Sequence, residues 1–561
     1  LGTIDFGILI IFTILIFICG LSFSNSGKNM KSYFAAGGNL PWWMSGLSLF
    51  MSFFSAGTFV VWGSIAYNSG WVAVTIQLTM AIAGFIIGFF IAPKWRKTKA
   101  LTAAEFITNR LGYSTQKVYT YLFLVISLFT TGAFLYPVAK IVEVSTGVPI
   151  TMSIIVLGVL ILIYTAVGGL WAVIVTDVLQ FVVLTAAVLI VVPLSLDKIG
   201  GINNFVAKAP VDFFNLVNEE YSWGFIVAFG FYNLFFIAGN WAYVQRYTSV
   251  STARDAKKVG WLFGALYLVS PIVWMLPPMI YRVLNPNLEG LANEGAYLLM
   301  CKEVLPVGML GLILGGMVFA TSSSVNTTLN ISAGVLTNDV YKHFKPNANA
   351  NQLIKVAKLS TIILGLITIV VALLVPLLGG VVEFVLSLAA ITGGAMFLPP
   401  LWAMFSSRQT GKTALFVTII ALSINSFFKF LAPQFLDITL SRTLEMSFGV
   451  GIPIVLLAIT ELYFMTTKGS ETVYQDYIKN VELVSDIPEE DSKKINKKGG
   501  RVIGIGVAST GALILSLTIV AENGVFLVGG MGLLVTTLGG FVIKKNLNKK
   551  ALKKIQNKYD N

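Results

Sequence analysis

Apolar residues in this chain are gathered into long continuous runs separated by short polar stretches. A helix rises about 1.5 Å per residue, so a run of about 20 crosses the roughly 30 Å hydrocarbon core of a bilayer. Inside lipid every backbone donor and acceptor has to be paired within the protein, which leaves only helices or a closed barrel. The runs are continuous rather than alternating, so the expectation is an all-α polytopic membrane protein. Composition agrees: 56% of the 561 residues are hydrophobic and 12% are charged, about half the charged share of a soluble domain.

Fifteen candidate spans emerge, near 4–23, 41–67, 71–93, 115–140, 149–169, 172–194, 222–244, 258–282, 306–336, 353–378, 380–405, 411–431, 442–466, 502–521 and 523–543. The first, Ile4 to Leu21, is long for a signal-peptide core and no basic segment precedes it, so it reads as a retained span. An odd number of spans puts the termini on opposite sides. Alternate loops then agree in charge. One set carries Lys94, Arg96, Lys97, Lys99 and Arg110; Arg246, Arg254, Lys257 and Lys258; Lys342, Lys345, Lys355 and Lys358; Arg408 and Lys412; and the lysines from Lys544 to Lys558. The other set is neutral or acidic, with Asp212, Glu219, Glu220, Glu289, Glu294 and Glu303. Basic loops face the cytoplasm, which places the N-terminus outside and the C-terminus inside a cell membrane. The stretch 467–500 reads as a flexible cytoplasmic loop, and the basic tail as a topology anchor touching lipid headgroups.

The same facts exclude several functions. The net charge of +13 belongs to cytoplasmic loops rather than to a nucleic-acid surface. A single histidine, His343, precludes a histidine-rich metal site, and Cys19 and Cys301 sit too differently for a disulfide framework. No G-x-x-x-x-G-K-[ST] loop is present, so transport driven by ATP on this chain alone is not expected. Neither an enzyme, an organic cofactor nor an obligate protein partner is expected.

Three features carry chemistry. The ninth run holds Thr321, Ser322, Ser323, Ser324, Asn326, Thr327 and Thr328 within an apolar helix. Such hydroxyls bond back to the preceding turn or glue helices together. They also supply oxygens to sodium, together with carbonyls released where a helix breaks. The second run offers such a break, where Ser55-Ala56-Gly57-Thr58 weakens the helix near mid-membrane after Leu40-Pro41-Trp42-Trp43. Asp177, in the sixth run, is a carboxylate within a span, which is costly and by default functional, or else lies at the cytoplasmic end as a cap.

Taken in order, Leu40-Pro41-Trp42-Trp43, Ala104-Glu105-Phe106, Tyr164-Thr165-Ala166-Val167-Gly168-Gly169-Leu170, Thr176-Asp177-Val178-Leu179-Gln180, Gln245-Arg246 and Asp339-Val340-Tyr341-Lys342 resemble the sodium:solute symporter family over about residues 30–430. The resemblance implies the inverted-repeat fold first seen in a leucine transporter. Residues 1–30 would then be an extra helix, 31–200 and 201–406 two five-helix repeats, and 407–561 about four peripheral helices with the loop and tail.

The resemblance also implies a main sodium site of the Met51, Phe54 and Ala320 carbonyls with the Ser323 and Ser324 hydroxyls. It implies a second sodium in some members, here at Asp177, Ser323, Asn326 and Thr327, with Asn326 replacing the usual hydroxyl. The implied solute pocket is Phe53, Thr58, Gln77, Thr130, Asn233, Phe236 and Tyr267. It departs from the sugar carriers, with Phe53, Thr58 and Gln77 where they place an asparagine, a glutamine and a glutamate, Tyr267 for a lysine and Phe236 for a tyrosine, and with Thr130 where sialic acid carriers have an arginine it lacks a fixed charge. That favours a neutral polar, sugar-like solute over a carboxylate, because burying an ion without a counter-charge costs several kcal/mol. Lys140 reads as snorkelling to the interface. The expected activity is sodium-driven symport by alternating access, with one or two sodium ions. The alternatives are a proton-coupled carrier of the same fold and a solute sensor that transports nothing.

Overall fold

The protein is represented by a computed structural model that describes residues 1–22, 40–100, 102–164, 170–467, 471–483, 490–521 and 524–546. Those residues are helical almost throughout, and among them one isolated bridge joins Leu40 to Val250, where Leu40 N donates to Ser249 O at 2.9 Å. Eleven helices among the described residues are long and apolar enough to cross a membrane. A bent pair, Trp223–Gly239 and Trp241–Thr248 at 61°, makes twelve if it is one span, and Thr3–Cys19 and Ile150–Leu162 are shorter apolar helices. Large apolar side chains such as Phe90, Leu366, Leu462 and Phe541 face outward, as lipid-facing surfaces require.

The second expected span is broken. Its first half, Trp42–Met51, ends in a turn at Ser52–Ser55, and helix resumes through a π-helical turn, Thr58–Trp62, into Gly63–Ser69. The break therefore lies just before the Ala56-Gly57 pair rather than on it. A π turn widens the helix locally and is frequent at functional sites.

Long helices cross closely where glycines leave room. On Val72–Ile86 and its continuation to Lys97, Gly84 and Gly88 meet Gly260 and Gly264 of Ala253–Trp274. A Cβ on Gly260 would lie 2.6 Å from the Gly88 Cα, and one on Gly84 would lie 2.8 Å from the Gly264 Cα. Small residues at such crossings let backbones pack where lipid gives no hydrophobic drive.

The N-terminal helix Thr3–Leu21 is fastened to the hydroxyl-rich helix Met309–Val335. The Asp5 carboxylate accepts from Gly308 N at 2.9 Å and Gly311 N at 3.2 Å, satisfying donors left open at that helix start. Ile8, Phe12 and Ile16 pack with Leu179, Ile190, Ile503 and Val535, so the first and last helices share one apolar cluster against Leu170–Ile199.

Three expectations need correction. Arg110 and Arg246 are not loop cations: each is 2% exposed. Arg110 donates to Ala403 O and Ser406 O at 3.1 and 2.7 Å, tying off carbonyls at a helix end. The stretch 467–500 is not a plain connector, since it holds the helix Glu471–Leu483 and the start of Glu490–Ser516. Tyr477 is buried there with its ring edge-on to Phe106 at 6.2 Å, so apolar packing offsets the mixed charge. Residues 165–169 of the glycine-bearing motif lie outside the described residues, as do 547–561 of the basic tail. Cys19 and Cys301 are both buried and free.

Candidate functional site

The helix break releases two carbonyls. In an unbroken helix Ser55 N would bond Met51 O and Thr58 N would bond Phe54 O. Here Ser55 N donates to Phe53 O at 3.1 Å and Thr58 N to Ser55 O at 3.0 Å. The Thr58 hydroxyl donates to Phe53 O and stabilises the turn. Met51 and Phe54 O are thus left without those helical partners, inside protein that is 1% and 2% exposed at these residues. Buried carbonyls in that state invite an external cation.

The hydroxyl-rich helix closes on this break. Ala56 N, freed by the turn, donates to Thr321 Oγ1 at 3.2 Å. Ser52 shares a small polar cavity with Ser323, Ser324, Thr327, Asp177 and Arg246. Most hydroxyls of the helix bond backwards, as hydroxyls in apolar helices ordinarily do: Ser322 to Val318 O at 2.6 Å, Thr327 to Ser323 O at 2.9 Å and Thr328 to Ser324 O at 3.1 Å. Ser323 does not. Its hydroxyl donates to Asp177 Oδ1 at 2.9 Å. Ser324 makes only a long contact to Ala320 O, at 3.5 Å.

Asp177 is 4% exposed, within Leu170–Ile199. Its second oxygen, Oδ2, accepts from Ser48 Oγ at 2.6 Å. Arg246 Nε donates to that same hydroxyl at 3.3 Å, while Arg246 Nη1 donates to Ala242 O at 3.0 Å. Asp177 is therefore no end-of-helix cap but the centre of a buried network. Ser48 is the member that sequence reasoning missed.

Of the second-sodium set, Asp177, Ser323 and Thr327 line the polar cavity. Asn326 is buried but is not on that wall, and its Oδ1 accepts from Asn330 Nδ2 at 2.8 Å.

A larger cavity of about 120 Å³ adjoins the polar one and shares Ser52, Ile126, Thr130, Phe134 and Tyr243 with it. Phe53, Thr58, Thr130, Asn233, Phe236 and Tyr267 all line it. Its aromatic wall is continuous: Phe53 lies 4.7 Å from Tyr243 and 6.3 Å from Phe236 between ring centres, and Phe263 backs Phe53 from outside the wall at 5.6 Å. Asn233 Nδ2 donates to Thr79 Oγ1 at 2.9 Å. Among the described residues, no charged side chain lines this cavity.

Gln77 departs from the expectation. It is 1% exposed and off the cavity wall, where Met80, one turn on, takes the place. Neither amide atom of Gln77 has a partner among the described residues. Lys140 does not snorkel free but pairs with Glu143 at 2.8 Å.

Comparisons with known proteins agree on one family. The model of the "Sodium:solute symporter family" matches residues 33–421. The sodium/sialic acid symporter SiaT of Proteus mirabilis is 27% identical over 442 residues, covering 75% of this chain and 89% of that protein. The sodium/glucose cotransporter of Vibrio parahaemolyticus is 25% identical over 528 residues, 87% of this chain and 94% of that one. The solved substrate-bound, outward-open structure of a Na+-coupled sialic acid symporter superposes with a TM-score of 0.68 at 22% identity, covering 82% of this chain and 98% of that chain. That likeness establishes a shared fold.

Proposed function

This chain belongs to the sodium:solute symporter family, a family of multi-pass membrane transporters, and on that premise we propose that it uses the inward sodium gradient to take up a small organic solute. The observation that carries the reading is the closing of the hydroxyl-rich helix on the broken one, through Ala56 N and Thr321 and through the cavity shared by Ser52, Ser323 and Ser324.

Sodium is a hard cation that takes several oxygen ligands. The released carbonyls of Met51 and Phe54, the carbonyl of Ala320 and the hydroxyls of Ser323 and Ser324 offer that chemistry with no full buried charge. Sodium entering from outside links the break to the hydroxyl-rich helix and orders Phe53 and Thr58 at the solute cavity. Solute then favours closure, the two repeats rock, and sodium leaves toward the cytoplasm past Asp177. Each charge moving inward gains roughly 2.3 kcal/mol per 100 mV. A second sodium at Asp177, Ser323, Asn326 and Thr327 rests chiefly on the first two and Thr327, since Asn326 Oδ1 is already engaged.

The solute we favour is neutral, polar and sugar-like. An aromatic wall with Thr58, Thr130 and Asn233 suits a sugar face and its hydroxyls, and provides no counter-charge for a carboxylate. Gln77 enters this proposal through its unpaired amide. An orphaned buried amide costs about 1–3 kcal/mol, and a small rearrangement toward the cavity would pair it with a solute hydroxyl. The fifteen-span count, the five-plus-five repeat within 31–406, the peripheral helices of 407–561 and the N-out, C-in orientation belong to the same proposal. Sodium-dependent uptake of labelled glucose and labelled sialic acid into proteoliposomes tests the solute class. Uptake of sialic acid alone would overturn the preference for a neutral solute.

A further inference from the structure

Asp177 belongs to the second-sodium set above, but Ser48 and Arg246, which join it in a bridge, belong to neither the sodium nor the solute sets, and the geometry of that bridge is specific. Ser48 lies on the first half of the broken helix, Asp177 on Leu170–Ile199 and Arg246 on the bent Trp241–Thr248 segment. All three are at most 4% exposed. A serine hydroxyl has one proton and two acceptor pairs. The 2.6 Å contact takes the proton to Asp177 Oδ2, which leaves an acceptor pair for Arg246 Nε at 3.3 Å. Carboxylate and guanidinium are thus joined through a neutral oxygen and form no direct ion pair.

That distinction matters in a buried site. A direct, two-pronged guanidinium–carboxylate pair is among the strongest side-chain contacts, and in low dielectric it would hold both oxygens of Asp177. The bridged arrangement lets Ser48 take one oxygen while the other faces Ser323, the hydroxyl that also belongs to the proposed sodium site. The Arg246 side chain lines the same polar cavity as Asp177, Ser323 and Thr327, so a direct pair would form across the space that sodium crosses.

We infer that Ser48 is a positioning residue for sodium coupling: its hydroxyl holds Asp177 and Arg246 apart at one bridged separation and keeps the carboxylate open on its Ser323 side. The inference rests on the sodium reading above. Removing the hydroxyl lets the two charges collapse onto each other, and sodium must then compete with an internal cation. Ser48 itself touches neither the solute cavity nor the five proposed main-site oxygens.

The experiment compares wild type, Ser48→Ala and Ser48→Thr in proteoliposomes, measuring initial uptake of whichever of glucose or sialic acid the wild type carries, against external sodium. The hydroxyl role predicts that Ser48→Ala raises the half-saturating sodium concentration about tenfold, the size of one hydrogen bond to a charged group. The solute KM at saturating sodium stays near the wild-type value, and Ser48→Thr lies closer to wild type than Ser48→Ala does. A packing role predicts the reverse order, because threonine adds a methyl group to a fully buried position. Thermal melting with and without sodium covers a variant that folds poorly: Ser48→Ala should keep its fold and lose most of the sodium-induced shift. An unchanged sodium dependence in Ser48→Ala, or Ser48→Thr no better than Ser48→Ala, overturns the inference. A wild type indifferent to sodium would instead sink the symport reading on which it rests.

Discussion

Replacing Ser323 by alanine removes one hydroxyl that serves two neighbours. It deletes the 2.9 Å bond to Asp177 Oδ1 and one of the five proposed sodium oxygens. A hydrogen bond to a charged group contributes about 1.5–3 kcal/mol. If sodium binding loses that amount, the half-saturating sodium concentration rises about 10- to 100-fold, since about 1.4 kcal/mol is a factor of ten. At ordinary external sodium the variant should then be far from saturation, with uptake low and rising almost in proportion to sodium. Alanine is smaller than serine and keeps helix propensity, so the fold itself should survive. The assay is initial-rate uptake in proteoliposomes across a sodium series with choline as the replacement cation, alongside melting curves in both salts. A Ser323→Ala protein with the wild-type sodium curve would refute the assignment. A variant that fails to melt cooperatively would show instead that Ser323 is structural.

Two further perturbations probe packing and protonation. Gly260→Leu places a side chain where a Cβ would already be 2.6 Å from Gly88 Cα; overpacking of this kind costs about 1–3 kcal/mol, so the melting temperature should fall clearly, and an unchanged value would contradict the close crossing. Glu294, in the loop turn Gly290–Gly295, accepts from Tyr136 Oη and Val381 N, both at 2.9 Å, and burial pushes its carboxyl above the usual range. The folded protein therefore holds that proton more tightly than the unfolded chain, so this group's contribution is complete at low pH and is lost as pH rises through the raised value. Glu294→Gln should flatten that part of the melting-temperature profile against pH, and a profile parallel to wild type would argue against the raised carboxyl.

The all-helical membrane character was legible in the sequence because a bilayer forces apolar length on every crossing helix, although eleven helices, or twelve with the bent pair, against fifteen expected spans meet that length among the described residues. The polar stretch from Thr321 to Thr328 was visible for a related reason: hydroxyls are conspicuous against an apolar helix. Its internal division was not, since nothing local separates Ser323, which reaches Asp177 146 residues away, from Ser322, which bonds back four residues. Arg246 shows the same limit more sharply. Beside Arg254, Lys257 and Lys258 it counted as one more basic loop residue, yet the break at Asn240, whose side chain caps Ala242 N at 3.0 Å, turns it inward toward Ser48. Ser48 had no sequence signal of its own, because a lone serine in a membrane helix is ordinary until its partners, 129 and 198 residues away, are in place. Gln77 shows a different limit. Its placement came from family resemblance, and a shift of one turn along the helix was enough to put Met80 on the wall instead.

On the symport reading, a sodium gradient alone powers solute accumulation through this protein. Purified protein in proteoliposomes, given labelled glucose or sialic acid and an inward sodium gradient with no proton gradient, tests it most directly. The expected result is accumulation above the external concentration, abolished by choline replacement or by a sodium ionophore and indifferent to a protonophore that leaves the membrane potential clamped. Accumulation that follows the proton gradient, or sodium-dependent binding of either solute with no accumulation, would contradict it.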